Sequence, residues 1–147
     1  MTDREVFLGV VRIGETLTHH LTALLAPLRL TISQYSVLDS LRDAGASGLT
    51  CGEIADRLTT RDPDITRLVD RLEGRSLVRR LRERPDRRVV RAQLTPDGLL
   101  LLRQLDDPIG RLHAQHLAPI GKRRLGALSA LAAAPLPARA RRNATMD

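Results

Sequence analysis

The arginines of this chain are numerous and clustered, and their guanidinium groups are the side chains that could do chemistry. The 147-residue sequence carries 24 Lys and Arg against 17 Asp and Glu, a formal net charge of +7, and Lys122 is its only lysine. Twelve arginines and six acidic residues lie between Arg57 and Arg91, so this segment holds +6 of that charge. A guanidinium makes bidentate contacts to phosphate or guanine that an ammonium cannot. A GC-rich genome would explain Arg in place of Lys but not the clustering, which favours a nucleic-acid-binding surface.

Two short helices joined by a tight turn are predicted at the start of this segment. Thr50 and Glu53 have the spacing of a capping box, which opens the first helix. Asp62-Pro63 is typical of an N-cap followed by proline at the first helical position, and the second helix ends at Gly74. Such a pair of helices lets the second one lie in the major groove of duplex DNA.

The exposed side of the second helix carries the residues that could contact DNA. Helical spacing puts Thr66, Arg67, Asp70 and Arg71 opposite the apolar positions. The alternative is a solvated helix face with weak pairs of the Arg67–Asp70 type. Asp62 is interpreted as a cap first and as an acceptor for a cytosine amino group second.

A hairpin is predicted after the second helix. Residues 77–82 and 89–94 have β-branched and alternating character on either side of a turn at Arg84-Pro85-Asp86. An arginine-rich hairpin can reach phosphates or the neighbouring minor groove. The near absence of aromatic residues, 1% of the chain, argues against single-strand recognition by base stacking.

The flanking segments are predicted to be helical. Apolar residues recur at intervals of three and four through residues 4–28, and Thr31 with Gln34 forms a capping box for a helix that ends near residue 45. Thr95-Pro96 should cap a long helix that Pro108 kinks, and Ala118-Pro119 should start a last helix. From residue 135 the chain has the composition of a flexible tail.

The first and last helices have apolar seams too long for one small domain to cover. We therefore expect a homodimer in which residues 1–30 and 97–134 form the dimerisation region and residues 31–96 bind DNA. A two-fold axis would place the two recognition helices about one DNA turn, roughly 34 Å, apart.

Other classes of function find little support. The sequence has no Gly-rich phosphate loop, His-Glu metal motif or nucleophile elbow, so it does not predict an enzyme or a cofactor. His113 and His116 could ligate a metal with His19 or His20, but a packed histidine pair is preferred. The single cysteine, Cys51, excludes an intramolecular disulfide and indicates a reducing compartment. Because no signal peptide or membrane-length apolar run is present, a soluble cytoplasmic protein is expected.

The residues from 49 to 98 resemble the MarR family of bacterial transcription regulators. The segments ADRL, DITRLVDRLEGRSLVRR, DRR and QLTPDG follow one another in the family's order and spacing. The resemblance implies a mainly α, winged helix-turn-helix homodimer whose N- and C-terminal helices form a dimerisation base. It implies binding to an inverted repeat in double-stranded DNA, usually as a repressor that a small molecule releases. This chain departs from the family pattern at Ser76, where glycine is usual, and at Arg61 and Asp62, where small polar residues are usual.

The resemblance also implies roles in the wing. Arg87 would enter the minor groove, while Asp86 and Arg88 would hold the wing in place. The expected DNA-contacting residues are Thr66, Arg67, Arg71, Arg84, Arg87 and Arg88.

Three questions stay open at the level of sequence. The same fold could serve a sequence-tolerant nucleoid or architectural protein, which the ratio of specific to non-specific affinity would distinguish. Cys51 is interpreted as structural, since redox-sensing family members carry their cysteine in the N-terminal helix. A small apolar or weakly acidic effector could lie between the dimerisation helices and the winged lobe, near Tyr35, with His19, His20 or Arg12 as anchors.

Overall fold

The computed structural model describes residues 2–58, 64–83, 86 and 88–133. These residues form six α-helices and two β-strands. In chain order they are α1 (Asp3–Leu25), α2 (Ile32–Ala44), α3 (Cys51–Arg57), α4 (Ile65–Gly74), β1 (Val78–Arg82), β2 (Val90–Leu94), α5 (Pro96–His116) and α6 (Lys122–Ala133), with 3-10 turns at Ala26–Leu28, Gly45–Ser47 and Ala118–Ile120. The predicted fold class, mainly α with a winged helix-turn-helix, is confirmed. The chain divides into one compact unit that runs to Leu112 and a second that begins at His113.

Side-chain capping fixes where the first three of these helices begin. The Thr31 hydroxyl accepts from the amide of Gln34 at 3.1 Å, and the Gln34 side chain accepts from the amide of Thr31 at 3.0 Å. Thr50 and Glu53 form the same reciprocal pair at the start of α3. Both capping boxes predicted from the sequence are confirmed, and Thr2 forms a third one at the start of α1.

The predicted start of α4 is wrong. Asp64, not Asp62, is the N-cap, and its Oδ1 accepts from the amide of Arg67 at 3.0 Å. Both aspartates could cap a helix, but the cap at Asp64 makes Ile65 the first helical residue, and Ile65 is already buried in the core. Residues 59–63, which include Arg61 and Asp62, lie outside the described part of the chain.

The core of the first unit lies where α2 and α4 pack against the strands and α5. Its most deeply buried side chains are Leu25, Val37, Leu38, Leu41, Ile54, Val69, Leu72, Val78 and Leu102. Leu38 and Leu41 of α2 are buried, whereas Tyr35 on the same helix is only half-buried. Gln34 is buried instead, and its capping bonds satisfy the amide that this burial removes from water.

The hairpin is antiparallel and anchored to a third segment. Val78 pairs with Leu94 and Arg82 with Val90. Leu49 adds a bridge to Ala92, with its amide donating to the Ala92 carbonyl at 2.9 Å and its carbonyl accepting at 2.8 Å. Gly48 precedes this bridge with a φ of +61°, and a Cβ there would lie 2.4 Å from the Ala92 carbonyl oxygen. A side chain at residue 48 would therefore push the hairpin away from α3.

The outer helices agree with the sequence prediction except at their ends. The hydroxyl of Thr95 accepts from the Gly98 amide at 3.0 Å and so caps α5, which continues through Pro108 to His116. The predicted start of the last helix at Ala118-Pro119 is wrong. These residues form a 3-10 turn, and α6 begins at Lys122, after Gly121 adopts a φ of +81°.

Within the described residues no helix has the length and apolarity needed to cross a bilayer. The predicted tail from residue 135 lies outside the described part of the chain.

Candidate nucleic-acid interface

Helix α4 divides cleanly into a buried and an exposed side. Ile65, Leu68, Val69 and Leu72 are buried. Thr66, Arg67, Asp70 and Arg71 are all exposed, as helical spacing predicts. The structure therefore brings three of the predicted DNA-contacting residues, Thr66, Arg67 and Arg71, to one exposed side of one helix.

Arg67 does not form the pair with Asp70 that the alternative interpretation, a solvated helix face, described. Its Nε lies 3.0 Å from Asp64 Oδ2, at the start of the helix, and its side chain is 76% exposed. A pair this exposed contributes little to stability. The guanidinium of Arg67 can therefore exchange its carboxylate partner for a phosphate at small cost.

Asp70 pairs instead with Arg80, a residue that the sequence did not single out. Nη2 of Arg80 lies 2.6 Å from Asp70 Oδ1, and Nη1 lies 2.7 Å from Glu73 Oε2. The Arg80 amide also donates to Glu73 Oε1 at 3.1 Å. Partial burial lowers the pKa of Arg80, but the hydrogen bonds to Asp70 and Glu73 outweigh it and the pKa is raised. Arg80 thus fastens β1 to the recognition helix.

Arg91 makes the equivalent connection between the hairpin and α3. It binds Glu83 through Nε and Glu53 through Nη1, the latter at 2.8 Å. Hydrogen bonds to these two carboxylates raise the pKa of Arg91, that to Glu83 contributing most. The pKa of Glu53 is lowered, first by the backbone amide of Thr50 and then by Arg91. The capping box of α3 is therefore also an ion-pair site.

Arg75 turns towards the connection between α1 and α2. Its two terminal nitrogens donate to the carbonyl oxygens of Arg29 and Leu28 at 2.8 and 2.9 Å. Arg75, Arg80 and Arg91 are called the inner arginines below, because each is bonded to other parts of the protein.

A second set of arginines carries charge that no carboxylate of the described residues neutralises. Arg71 on α4, Arg82 on β1 and Arg88 beyond the hairpin turn are exposed, and none forms an ion pair with the residues the structure describes. They are called the outer arginines below. The sequence shows their number but not this division, since the partners of the inner arginines lie up to 47 residues away.

The turn of the wing is held by Asp86. Its Oδ1 accepts from the amide of Arg88 at 3.0 Å, and its carbonyl accepts from the amide of Val89 at 3.2 Å. Glu83 closes the hairpin by donating its amide to Val89 at 2.9 Å. Arg84 and Arg87 lie outside the described residues, so their expected DNA contacts stay predictions.

Ser76 occupies the turn between α4 and β1 with a φ of +59°. This left-handed conformation is unfavourable for a residue with a Cβ and explains why glycine suits the position. The Thr95 hydroxyl donates to the Ser76 carbonyl at 2.7 Å, which helps to hold the turn.

The other candidate sites named in the sequence analysis are the possible metal ligands and Cys51. Among the described residues no group of three or more His, Cys, Asp or Glu side chains is placed to hold a metal ion. Cys51 is half-buried at the first position of α3.

Comparison with protein families and curated relatives identifies the region that carries these features. The family model described as "MarR family" matches residues 30–90. The multiple antibiotic resistance protein MarR of Salmonella typhimurium is 36% identical over 92 residues, which cover 62% of this chain and 62% of that protein. The alignment therefore spans less than two thirds of that relative's length.

Solved structures extend the likeness to the flanking helices. A MarR transcription factor from Planctomyces limnophilus is 34% identical, with a TM-score of 0.69 over 89% of this chain and 95% of that chain. A mutant MarR from E. coli, crystallised with operator DNA, is 26% identical, with a TM-score of 0.72 over 86% and 90%. With a third of its residues identical over nearly the whole length of a solved MarR factor, the chain belongs to the MarR family.

Proposed function

We propose that this protein is a sequence-specific transcription regulator that binds double-stranded DNA as a homodimer and represses the genes it controls. The observation that carries the proposal is the set of outer arginines on the recognition helix and wing, whose charge no described carboxylate neutralises. The relatives are named as regulators, in agreement with the prediction that the protein is not an enzyme.

Helix α4 would enter the major groove and the wing the minor groove. Thr66, Arg67 and Arg71 face away from the core on α4, where an inserted helix presents side chains to base edges and phosphates. Arg88 stands at the wing, and the family pattern puts Arg87 at its tip.

The dimerisation region is proposed to include the first half of α1. Its large apolar side chains are 40–66% exposed in the single chain, a patch that soluble monomers seldom leave open. They are Val6, Phe7, Leu8, Val10, Val11 and Ile13. A two-fold axis lets the same face of a second chain cover them, and residues 1–30 and 97–134 are assigned to this role.

Selection of duplexes from a random pool, followed by titration at several salt concentrations, tests the proposal. We expect enrichment of an inverted repeat and a steep fall of affinity with salt, because each neutralised phosphate releases counterions. Arg87→Ala should weaken binding about tenfold, in the range of one lost Arg contact. The matched control is Arg103→Gln, which removes an exposed arginine from α5, outside the winged region. Because α5 belongs to the assigned dimerisation region, this variant is first shown to sediment as the wild type does.

Three results would contradict the proposal. Tight binding without enrichment of any sequence would indicate an architectural protein instead. Normal binding by Arg87→Ala would refute the wing assignment. A monomer in sedimentation experiments would refute the homodimer.

A further inference from the structure

A cavity of about 520 Å³ lies between the end of α2, the hairpin strands and the start of α5, within the first unit. Most of its wall is apolar, formed by Leu41, Leu81, Leu94, Pro96 and Leu99. Leu81 is 41% exposed and contributes apolar surface to this lining. A volume of this size is ordinary for a small-molecule site.

The cavity has an excess of positive charge. Its lining includes Arg42 and Arg79 and no acidic residue. Arg42 is neutralised from outside the lining, because its two terminal nitrogens lie 2.6 Å from Asp39 and 2.7 Å from Asp106. Among the described residues, the side chain of Arg79 has only a neutral acceptor, the side-chain oxygen of Gln93, at 3.2 Å from Nε and 3.0 Å from Nη2.

The contact between Arg79 and Gln93 is one that an anion can improve. The single amide oxygen of Gln93 accepts from both Nε and Nη2 of the guanidinium. A carboxylate in the same place would give each nitrogen its own oxygen, and both hydrogen bonds would be charge-assisted. The apolar walls beside Arg79 would meanwhile lose their contact with water. An inorganic anion would meet the charge but leave the leucine surface uncovered.

We propose that this cavity binds a small organic carboxylate with an apolar body, whose carboxylate replaces Gln93 on Arg79. The site differs from the effector position predicted from the sequence, which lay against the dimerisation helices near Tyr35. It rests on the cavity and not on the proposed DNA binding.

Binding at this site would reach two elements of the winged region. The Gln93 side-chain amide also donates to the carbonyl of Ala46 in the turn after α2. Displacing Gln93 from Arg79 therefore removes the side-chain bond between these paired residues of β1 and β2, leaves their backbone pairing in place and changes the bond of Gln93 to that turn. A ligand would therefore act on the wing through the paired strands β1 and β2 from which the wing extends.

Titration of isotope-labelled protein by NMR, without DNA, tests the proposal. The probes are 3-phenylpropanoate and its neutral analogue 3-phenylpropanamide, which have nearly the same shape. We expect the carboxylate to shift the amides of Gly45 and Ala46, the Arg79 Nε and the Gln93 side-chain amide, with at least tenfold higher affinity than the neutral analogue. Equal affinity for the two probes, shifts confined to other residues, or no binding at millimolar carboxylate would overturn the proposal.

Variants of Arg79 and Gln93 test whether the guanidinium of Arg79 is the group that binds the carboxylate. Gln93→Glu supplies a carboxylate to Arg79 from within the chain and should weaken binding at least tenfold, whereas Arg79→Gln should abolish the preference for the carboxylate probe. Arg79→Lys keeps the charge without the fork and should give an intermediate affinity. Arg103→Gln should leave binding unchanged.

The amide spectrum of each variant reports its folding directly. A folded Gln93→Glu protein that binds 3-phenylpropanoate as the wild type does would refute the role of Arg79. Failure of this experiment leaves the DNA-binding proposal untouched, because no DNA is present.

Discussion

The outer and inner arginines of the winged region share a side chain but differ in their surroundings. Arg71 and Arg88 stand in solvent without a carboxylate among the described residues, whereas Arg80 and Arg91 each bind two carboxylates. The inner arginines join elements that the chain order separates: α4 to β1, and α3 to the hairpin. The arginines of this region therefore serve two purposes. The outer ones offer positive charge to a ligand, and the inner ones hold together the surface that carries it.

The largest effect should come from the exposed arginines of the recognition helix. Replacing both Arg67 and Arg71 by Gln should lower the affinity of the dimer for its selected duplex at least about 100-fold, since each lost Arg contact costs about 1–3 kcal/mol and both lobes lose it. The urea midpoint should not change, because neither side chain is bonded into the core. Fluorescence anisotropy with labelled duplex measures the first quantity and circular dichroism the second.

If the double variant had a lower urea midpoint but an unchanged affinity for the duplex, Arg67 and Arg71 would have to be classed as structural, like the inner arginines. Arg103→Gln is the matched control, since it removes one exposed arginine from a helix outside the winged region.

Arg80→Gln should show the opposite result, a loss of stability larger than its loss of DNA affinity. The change leaves Asp70 and Glu73 without their cation, while the amide of residue 80 can still donate to Glu73, so the free energy of unfolding should fall by about 1–2 kcal/mol. Urea denaturation measures the loss. Suppose instead that Arg80→Gln had the wild-type free energy of unfolding but a lower DNA affinity, and that the slope of log affinity against log salt concentration fell by about one. Arg80 would then be a phosphate contact, and the division into two sets would fail.

Ser76→Gly should raise stability by about 1 kcal/mol, because it removes the Cβ from a left-handed residue at the junction of α4 and β1. Differential scanning calorimetry would show it as a higher melting temperature. An unchanged or lower melting temperature would contradict this account, because the bond from Thr95 to the carbonyl of residue 76 is kept in the variant and cannot offset the effect.

The smallest effect concerns the ion pair between Glu53 and Arg91. Because folding lowers the pKa of Glu53, this group stabilises the protein above its ordinary pKa of 4.5 and loses that contribution as the pH falls through the folded value. Glu53→Gln keeps the capping pattern but not the charge, so it should destabilise the protein at neutral pH and have no effect in acid. Urea midpoints at the two pH values measure this.

Arg71→Gln should show no such pH dependence, since no carboxylate is paired with Arg71 among the described residues. A destabilisation by Glu53→Gln that persisted in acid would show that capping, not charge, gives Glu53 its role.

Local patterns predicted much of this architecture, because their causes are local. The capping boxes at Thr31 and Thr50 need only a side chain three residues away, and the two sides of α4 need only helical periodicity. The start of α4 was wrong because Asp62 and Asp64 are equally good caps, and the choice depends on whether Ile65 meets the core.

The division of the arginines could not be predicted in the same way. Arg91 reaches Glu53 across 38 residues, and only the register of the hairpin against Leu49 brings the two together. The cavity beside Arg79 likewise joins three segments distant in sequence. Sequence reasoning therefore found the charge and the helix that carries it, but missed Arg80 as a positioning residue.

The bridge between Leu49 and Ala92 has a consequence for how such a protein can change over generations. Because β2 is bridged to a third segment and β1 is paired with β2, inserting one residue between Val78 and Arg80 would turn every later side chain of β1 over, sending Arg80 away from Asp70. An insertion between Glu83 and Val89 leaves the paired register intact. Length variation is thus tolerated at the tip that reaches the partner and forbidden at the root, so related proteins can acquire wings of new reach without redesigning the lobe that bears them.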